Sequence, residues 1–371
     1  MKVGILTMHR VIHFGSVLQA YALQQTLFKI GIDNEIIDYI YPNYKHKNIP
    51  LLKLIIGKVK IFIYKCIKGD KNTEANKIKY FIYNKLICSK RKYTLPLMLK
   101  YFCPKYDIYL TGSDQVWNTD YLKGDTSFFF SFIKDKKAKK ISYASSFGKF
   151  TFTGIEAKKW LANLDSYNAI SVRETKAAQI IKNIKNIESE IVLDPTLLLD
   201  KNDWIEFAKK CINLDEDKYI LVYVLTYAWN PFPYAENLIK HYESELGYKI
   251  KVLEPQSLFE KNPNWEYINN ISPEEFISLF TNASLVITTS FHGTAFSINI
   301  ETPFYSIIND TNKDNDDRIS SLLKITGLLD RGIVNNSEFP KFSAPEFTNS
   351  TKRLNIEREK SISFLKTNCI V

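Results

Sequence analysis

Thirteen glycines and thirteen prolines in 371 residues are too few for a collagen-like, low-complexity or linker-dominated chain. The cysteines, Cys66, Cys88, Cys103, Cys211 and Cys369, are odd in number, far apart and never in a Cys-x-x-Cys pair. That argues against a disulfide framework and a zinc site, and points to a reducing cytoplasm. No run of about 18 uncharged apolar residues occurs, so no membrane-spanning helix is expected. The start, Met1-Lys2-Val3-Gly4-Ile5-Leu6, reads as a strand, without the charged head, long apolar core and cleavage site of a signal peptide. Seven arginines stand against 43 lysines, and no reader motif is present, which weighs against nucleic acid as a partner. There is no G-x-G-x-x-G after the first strand and no P-loop, H-E-x-x-H or G-x-S-x-G motif. Dinucleotide dehydrogenases, P-loop enzymes, zinc proteases and α/β hydrolases lose their footing.

What is present is uneven charge. The net charge is +10, but Lys45–Lys92 holds thirteen Lys and one Arg against Asp70 and Glu74, leaving the remainder slightly acidic. Within this basic segment, Leu51–Lys65 sets lysines among Leu, Ile and Phe. A solvated helix packing its apolar face on its own domain would read this way, and so would a basic amphipathic helix resting on anionic lipid.

Elsewhere short β-type runs alternate with amphipathic helical runs. Strands are expected at Lys2–Thr7, Glu35–Ile40, Tyr106–Thr111, Lys140–Ala144, Ala169–Val172 and Ile191–Leu193. After Asp194-Pro195 the alternation resumes, with strands at Tyr219–Leu225, Lys249–Leu253, Ser284–Thr289 and Phe304–Ile308. Helices are expected at Ser16–Ile30, Pro233–Leu246, Pro273–Thr281, Thr294–Ile300, Arg318–Ile325 and Asn355–Asn368. Two such series predict an α/β protein of two Rossmann-like domains, each a mostly parallel sheet flanked by helices. The boundaries expected are 1–195, carrying the basic insertion 45–92, and 196–371, whose final helix packs back on the first domain.

In open α/β sheets ligands bind beyond the carboxyl ends of strands, so the residues there are the informative ones. His13, Gly15 and Ser16 follow the first strand; Ser16 is a candidate N-cap, in a turn that could hold an anion or a hydroxyl-rich ligand. Ser113, Asp114, Gln115, Trp117 and Asn118 follow Gly112, and hydroxyl, carboxylate, amide and indole together suit a sugar, although Ser113 or Asp114 could cap a helix and Trp117 could be core. Arg173 could fork onto a carboxylate or phosphate, or pair with Glu174. The strongest signal is Ser290-Phe291-His292-Gly293-Thr294: a buried strand opening into His292, a candidate proton carrier, beside the Gly293 and Thr294 amides at a helix start. A purely structural histidine is the alternative.

These pieces together resemble the polysaccharide pyruvyl transferase family. The matching stretches are Phe14-Gly15-Ser16 with Leu18-Gln19-Ala20, Gly112–Asn118, Ser142–Gly148, Ser171–Glu174, Asp194-Pro195-Thr196 and Ser290–Thr294, in order over about 300 residues. The resemblance implies a glycosyltransferase-B-like fold and transfer of pyruvate from phosphoenolpyruvate onto two hydroxyls of a sugar, giving a cyclic ketal. It implies an acid/base role for His292 and donor binding by Arg173, with Ser290, Phe291, Gly293 and Thr294 around them. Some members carry an Arg where this chain has Ser290, and Arg318 is the first candidate to replace that cation. Asp114 is a candidate second base, and His13, Gly15, Ser16, Ser113, Gln115, Trp117 and Asn118 fall on the acceptor side. No cofactor or metal is implied beyond phosphoenolpyruvate as co-substrate. The acceptor would be a surface polysaccharide or its lipid-linked precursor, the protein cytoplasmic and peripheral at the inner membrane face. Competing readings are a nucleotide-sugar glycosyltransferase of the same fold and a non-catalytic glycan-binding subunit. The oligomeric state stays open.

Overall fold

The structure, a computed structural model, describes residues 1–41, 73–135, 137–148, 150–212, 217–253, 261–309 and 317–370. The Leu51–Lys65 stretch lies outside the described residues.

Strands β1 (Lys2–Leu6), β2 (Asp33–Ile36), β3 (Ile108–Thr111), β4 (Lys139–Ser145), β5 (Ala169–Val172) and β6 (Glu190–Ile191) form one sheet in the order β2-β1-β3-β4-β5-β6. Strands β7 (Tyr219–Tyr223), β8 (Lys249–Leu253), β9 (Glu266–Ile268), β10 (Leu285–Thr288), β11 (Phe304–Ile308) and β12 (Gly332–Val334) form a second, ordered β12-β11-β10-β7-β8-β9. All these pairings are parallel. The apolar, β-branched strands suit sheets covered on both faces, and β7 and β11 are buried along their whole length. The two short edge strands β9 and β12 escaped the sequence reading because three residues show no period. Strand β2 ends earlier than expected: the Asp38 N–H leaves the ladder to donate to Ser89 Oγ.

The order of each sheet reverses direction at one place. In the first, β1 lies between β2 and β3; in the second, β7 lies between β8 and β10. Chains leaving neighbouring strands in opposite directions open a crevice at their carboxyl ends. The candidate residues after β1, β3 and β10 therefore fall at these two crevices.

An aromatic and polar joint holds the halves together. Helix α1 (Phe14–Lys29) stacks Phe14 on Phe276 at 4.6 Å between ring centroids. Helix α2 (Lys201–Ala208) inserts Trp204 between Tyr21 of α1 and Phe296, while its indole N–H donates to the Thr196 carbonyl at 2.9 Å. Phe296 belongs to α3 (Phe291–Ile300), whose Asn299 side-chain amide donates to the Thr196 and Leu199 carbonyls. Beyond α4 (Asp317–Thr326), the last helix α5 (Phe347–Cys369) returns to the first half. There Ser361 Oγ accepts the Leu193 N–H, and Phe364 meets Tyr143. Helix α5 begins eight residues before the expected Asn355. No helix among the described residues is long and apolar enough to cross a membrane.

Trp204 is fully buried and touches both halves. Trp204→Ala should lower the free energy of unfolding by about 3–5 kcal/mol, read from urea midpoints.

Candidate active site

The centre of the site is a close approach between the two halves. Helix α1 begins at Phe14, two residues before the expected Ser16, so Ser16 sits inside the first turn rather than capping it. This start lies against α3: a Cβ added to Gly15 would come within 2.1 Å of His292 Nδ1. Glycine at this position is what lets the imidazole reach the first half of the molecule. His13 stands beside it, its ring 6.1 Å from that of His292 and its Nε2 3.4 Å from the Tyr223 hydroxyl.

Two carboxylates flank the imidazole. Asp114 follows β3 with φ +76°, a left-handed conformation that strains a non-glycine residue. It is held there by the Ser16 hydroxyl, which donates to Oδ2 at 2.6 Å, and by the Gln115 N–H, which donates to Oδ1 at 2.8 Å. Asp194, on the segment joining the halves, is more deeply buried. Its Oδ2 accepts from Arg173 Nη1 at 2.8 Å and from Ser113 Oγ at 3.0 Å, and its Oδ1 accepts from the Thr196 N–H and hydroxyl. The same Oδ2 lies 3.9 Å from His292 Nε2, beyond hydrogen-bond range but close enough for charge to matter. Sequence reading passed over Asp194 as a site residue, although Asp194-Pro195-Thr196 stood among the matching stretches.

A cavity of about 430 Å³ opens over this group. His13, Ser16, Asp114, Gln115, Phe291, His292 and Arg318 line it, together with Met8, Val11, Ile12, Tyr41, Asp120, Tyr121, Lys123 and Tyr227. Several sequence candidates have other employment. Trp117 is core, stacked on Phe129 at 5.4 Å. Asn118 caps a short helix, accepting from the Asp120 and Tyr121 N–H groups. Ser113 supports Asp194 from beneath. Ser290 is the N-cap of α3: its Oγ accepts the Gly293 N–H and its carbonyl the Thr294 N–H, so the amides expected to cradle an anion are spent inside the helix. Arg173 does not line the cavity either. Its guanidinium lies 4.4 Å from the centroid of the Phe291 ring, and its Nε lies 3.8 Å from Glu174 Oε2, the pairing that the sequence allowed; Nε, Nη2 and His292 Nε2 are buried without a hydrogen-bond partner. Arg318, by contrast, is at the cavity surface.

Burial sets the proton affinities. It pushes the His292 imidazole down to about 4, against the opposing pull of Asp194 and Asp114. Burial alone would raise Asp194, but His292 and Arg173 outweigh it and hold the carboxylate below its ordinary range; Arg173 and His292 do the same for Asp114. Burial raises Glu174, whose Oε1 accepts from Ser146 Oγ and the Phe147 N–H. At neutral pH the cavity therefore offers a neutral imidazole between two carboxylates, with one guanidinium beneath and another at the surface. Among the described residues no group of three or more His, Cys, Asp or Glu is arranged to hold a metal ion.

Residues 13–311 match the family model described as polysaccharide pyruvyl transferase. No curated protein matches the chain. Among solved structures, the UDP-GlcNAc 2-epimerase of Methanocaldococcus jannaschii is similar over 96% of this chain and 93% of its own, at 12% identity and a TM-score of 0.50. The UDP-GlcNAc 2-epimerase of Neisseria meningitidis also matches, with 12% identity, coverage of 97% and 100%, and a TM-score of 0.47. At such identity the first likeness shows the fold alone.

Two measurements test the electrostatics. Between pH 6.5 and about 4 the unfolded imidazole takes up a proton that folded His292 refuses, so stability falls as pH drops through this window. His13, also depressed by burial, adds the same sign, whereas raised Glu174 opposes it. His292→Gln should flatten the slope of the urea midpoint against pH in that window. Asp194→Asn strands the buried Arg173 charge and should cost about 3–5 kcal/mol of stability at pH 7, measured by urea unfolding.

Proposed function

The chain belongs to the polysaccharide pyruvyl transferase family, and we propose that it moves the pyruvyl group of phosphoenolpyruvate onto two hydroxyls of one sugar, forming a cyclic ketal and releasing phosphate. The sugar would belong to a surface polysaccharide or its lipid-linked precursor. One observation carries this reading: His292 stands on the wall of a cavity fed by the crevices of both sheets, faced by Asp114 and Arg318 and backed by the Asp194–Arg173 pair.

The donor is a small molecule bearing a carboxylate and a phosphate. Arg318 would meet its anionic end directly, and Arg173 would add positive charge from beneath Phe291. Because the imidazole is neutral in the empty site, the chemistry needs a proton brought in with the donor. Negative charge placed beside His292 raises its proton affinity. Protonated His292 then gives its proton to the methylene carbon. One sugar hydroxyl attacks the adjacent, oxocarbenium-like carbon and loses its proton to the now neutral imidazole. The carbon–oxygen bond to phosphate breaks with its electron pair on the leaving oxygen. The second hydroxyl closes the ring, and its proton passes through Asp114 to phosphate. In sum, the two hydroxyl protons balance the one gained by carbon and the one leaving with phosphate. Asp114 would also steady the cationic carbon with its charge, and Ser16, His13 and Gln115 would bind acceptor hydroxyls.

Phosphate release from phosphoenolpyruvate with a panel of monosaccharide glycosides tests the reaction, and UDP-sugars serve as the competing donors. His292→Ala should fold and lose roughly 10²–10⁴-fold in kcat. Arg318→Ala should raise the KM for phosphoenolpyruvate about 10-fold or more, with less change in kcat. Turnover with a UDP-sugar and none with phosphoenolpyruvate would overturn the proposal. Calorimetric titration of phosphoenolpyruvate in two buffers of different ionisation enthalpy should show proton uptake in the wild type, reduced in His292→Ala.

A further inference from the structure

From Ala75 to Tyr106 the chain carries eight Lys and Arg and no acidic residue. The structure adds what the sequence could not show. In this same stretch Tyr80, Tyr83, Leu95, Leu97, Tyr101 and Phe102 are exposed, Tyr80 to 71% and Tyr101 to 65%. Large apolar side chains facing water singly are ordinary, but so many together mark an interaction surface.

Contacts through the intervening link join the two helices that carry most of them. The Glu74–Lys85 helix carries Tyr80 and Tyr83, and the Pro96–Phe102 helix carries Leu97, Tyr101 and Phe102. The link between them ties both sides: Lys92 Nζ lies 4.5 Å from the centroid of the Tyr83 ring, and the Arg91 guanidinium lies 4.4 Å from that of Phe102. The Tyr93 hydroxyl donates to the Phe102 carbonyl at 2.9 Å, and buried Leu99 and Phe81 fasten each helix to the protein. The exposed groups are therefore mounted on a fixed base.

We propose that this face docks on an anionic phospholipid bilayer. Cations beside rings and branched aliphatics match the chemistry of a membrane interface: the rings settle at headgroup depth, the aliphatics enter the acyl boundary, and the cations meet phosphate. Single-stranded nucleic acid would use the rings for stacking but has no use for exposed Leu95 and Leu97. Arg10 connects the face to the loop that lines the cavity. Arg10 packs 5.2 Å from the centroid of the Tyr83 ring, while its chain neighbours Met8, Val11 and Ile12 line the cavity wall. The docking face shares Tyr80, Tyr83, Arg91 and Lys92 with the basic Lys45–Lys92 segment but lies outside its Leu51–Lys65 stretch.

The test is co-sedimentation of the full chain with vesicles of phosphatidylcholine, with or without roughly one-third phosphatidylglycerol. Binding should require the anionic lipid and weaken with salt. Each cation near such a surface is worth about fivefold in partitioning, so Arg91→Glu with Lys92→Glu should reduce binding at least ~10-fold. Leu97→Asp with Tyr101→Asp should do likewise, and both pairs should keep the wild-type unfolding midpoint. Equal binding to neutral vesicles, or binding untouched by both pairs, would overturn the proposal. So would a lowered unfolding midpoint without vesicle binding, which would place the face inside the protein's own packing. Displacement of vesicles by equimolar single-stranded oligonucleotide would count against lipid as the partner. None of these readouts depends on pyruvyl transfer, so failure of one leaves the other standing.

Discussion

A carboxylate with no contact to water governs this site. Asp194 could not stay charged there without compensation, and the compensation comes from Arg173, Ser113 and two groups of Thr196. Each belongs to a different stretch of chain, so satisfying one oxygen pair fixes the ends of β3 and β5 and the start of the crossover together. The imidazole of His292 is set against this finished arrangement. Its own burial would leave it inert if both nearby carboxylates did not pull the other way. The proton affinity of the site is thus a balance that a charged ligand can tip.

The second constraint is steric. The first turn of α1 and the first turn of α3 come from opposite sheets, and they meet only because Gly15 has no side chain. Around that contact the aromatic joint of Phe14, Phe276, Trp204 and Phe296 supplies the apolar burial that keeps the halves in register. Activity and assembly therefore rest on adjacent residues of the same two helices.

Much of the architecture was legible in the sequence, because apolar runs followed by glycine and small polar residues mark strand ends in a parallel sheet. That rule led to His13, Ser16, Asp114 and His292, which share one cavity. It misled where local structure used the polar groups first. Asn118 and Ser290 cap helices, and Trp117 fills a core that only the folded packing of Phe129 reveals. Arg173 ends its strand as expected, yet Phe291 covers it, and no spacing rule foresees one side chain lying across another. Asp194 was visible as part of a short motif but without a role, since its partners are 2 to 98 residues away and assemble only in space.

Helix α5 begins against the second half and reaches the first with its last turns, while Arg358 midway donates to both the Leu197 carbonyl and the Asn299 side chain. The chain is thus stitched across the crevice twice, once near Asp194 and again along this rod. The two crossings run side by side: Ser361 of the rod accepts the Leu193 N–H and Arg358 donates to the Leu197 carbonyl. Any turning of one half upon the other would therefore be taken up at this paired crossing, close to Asp194.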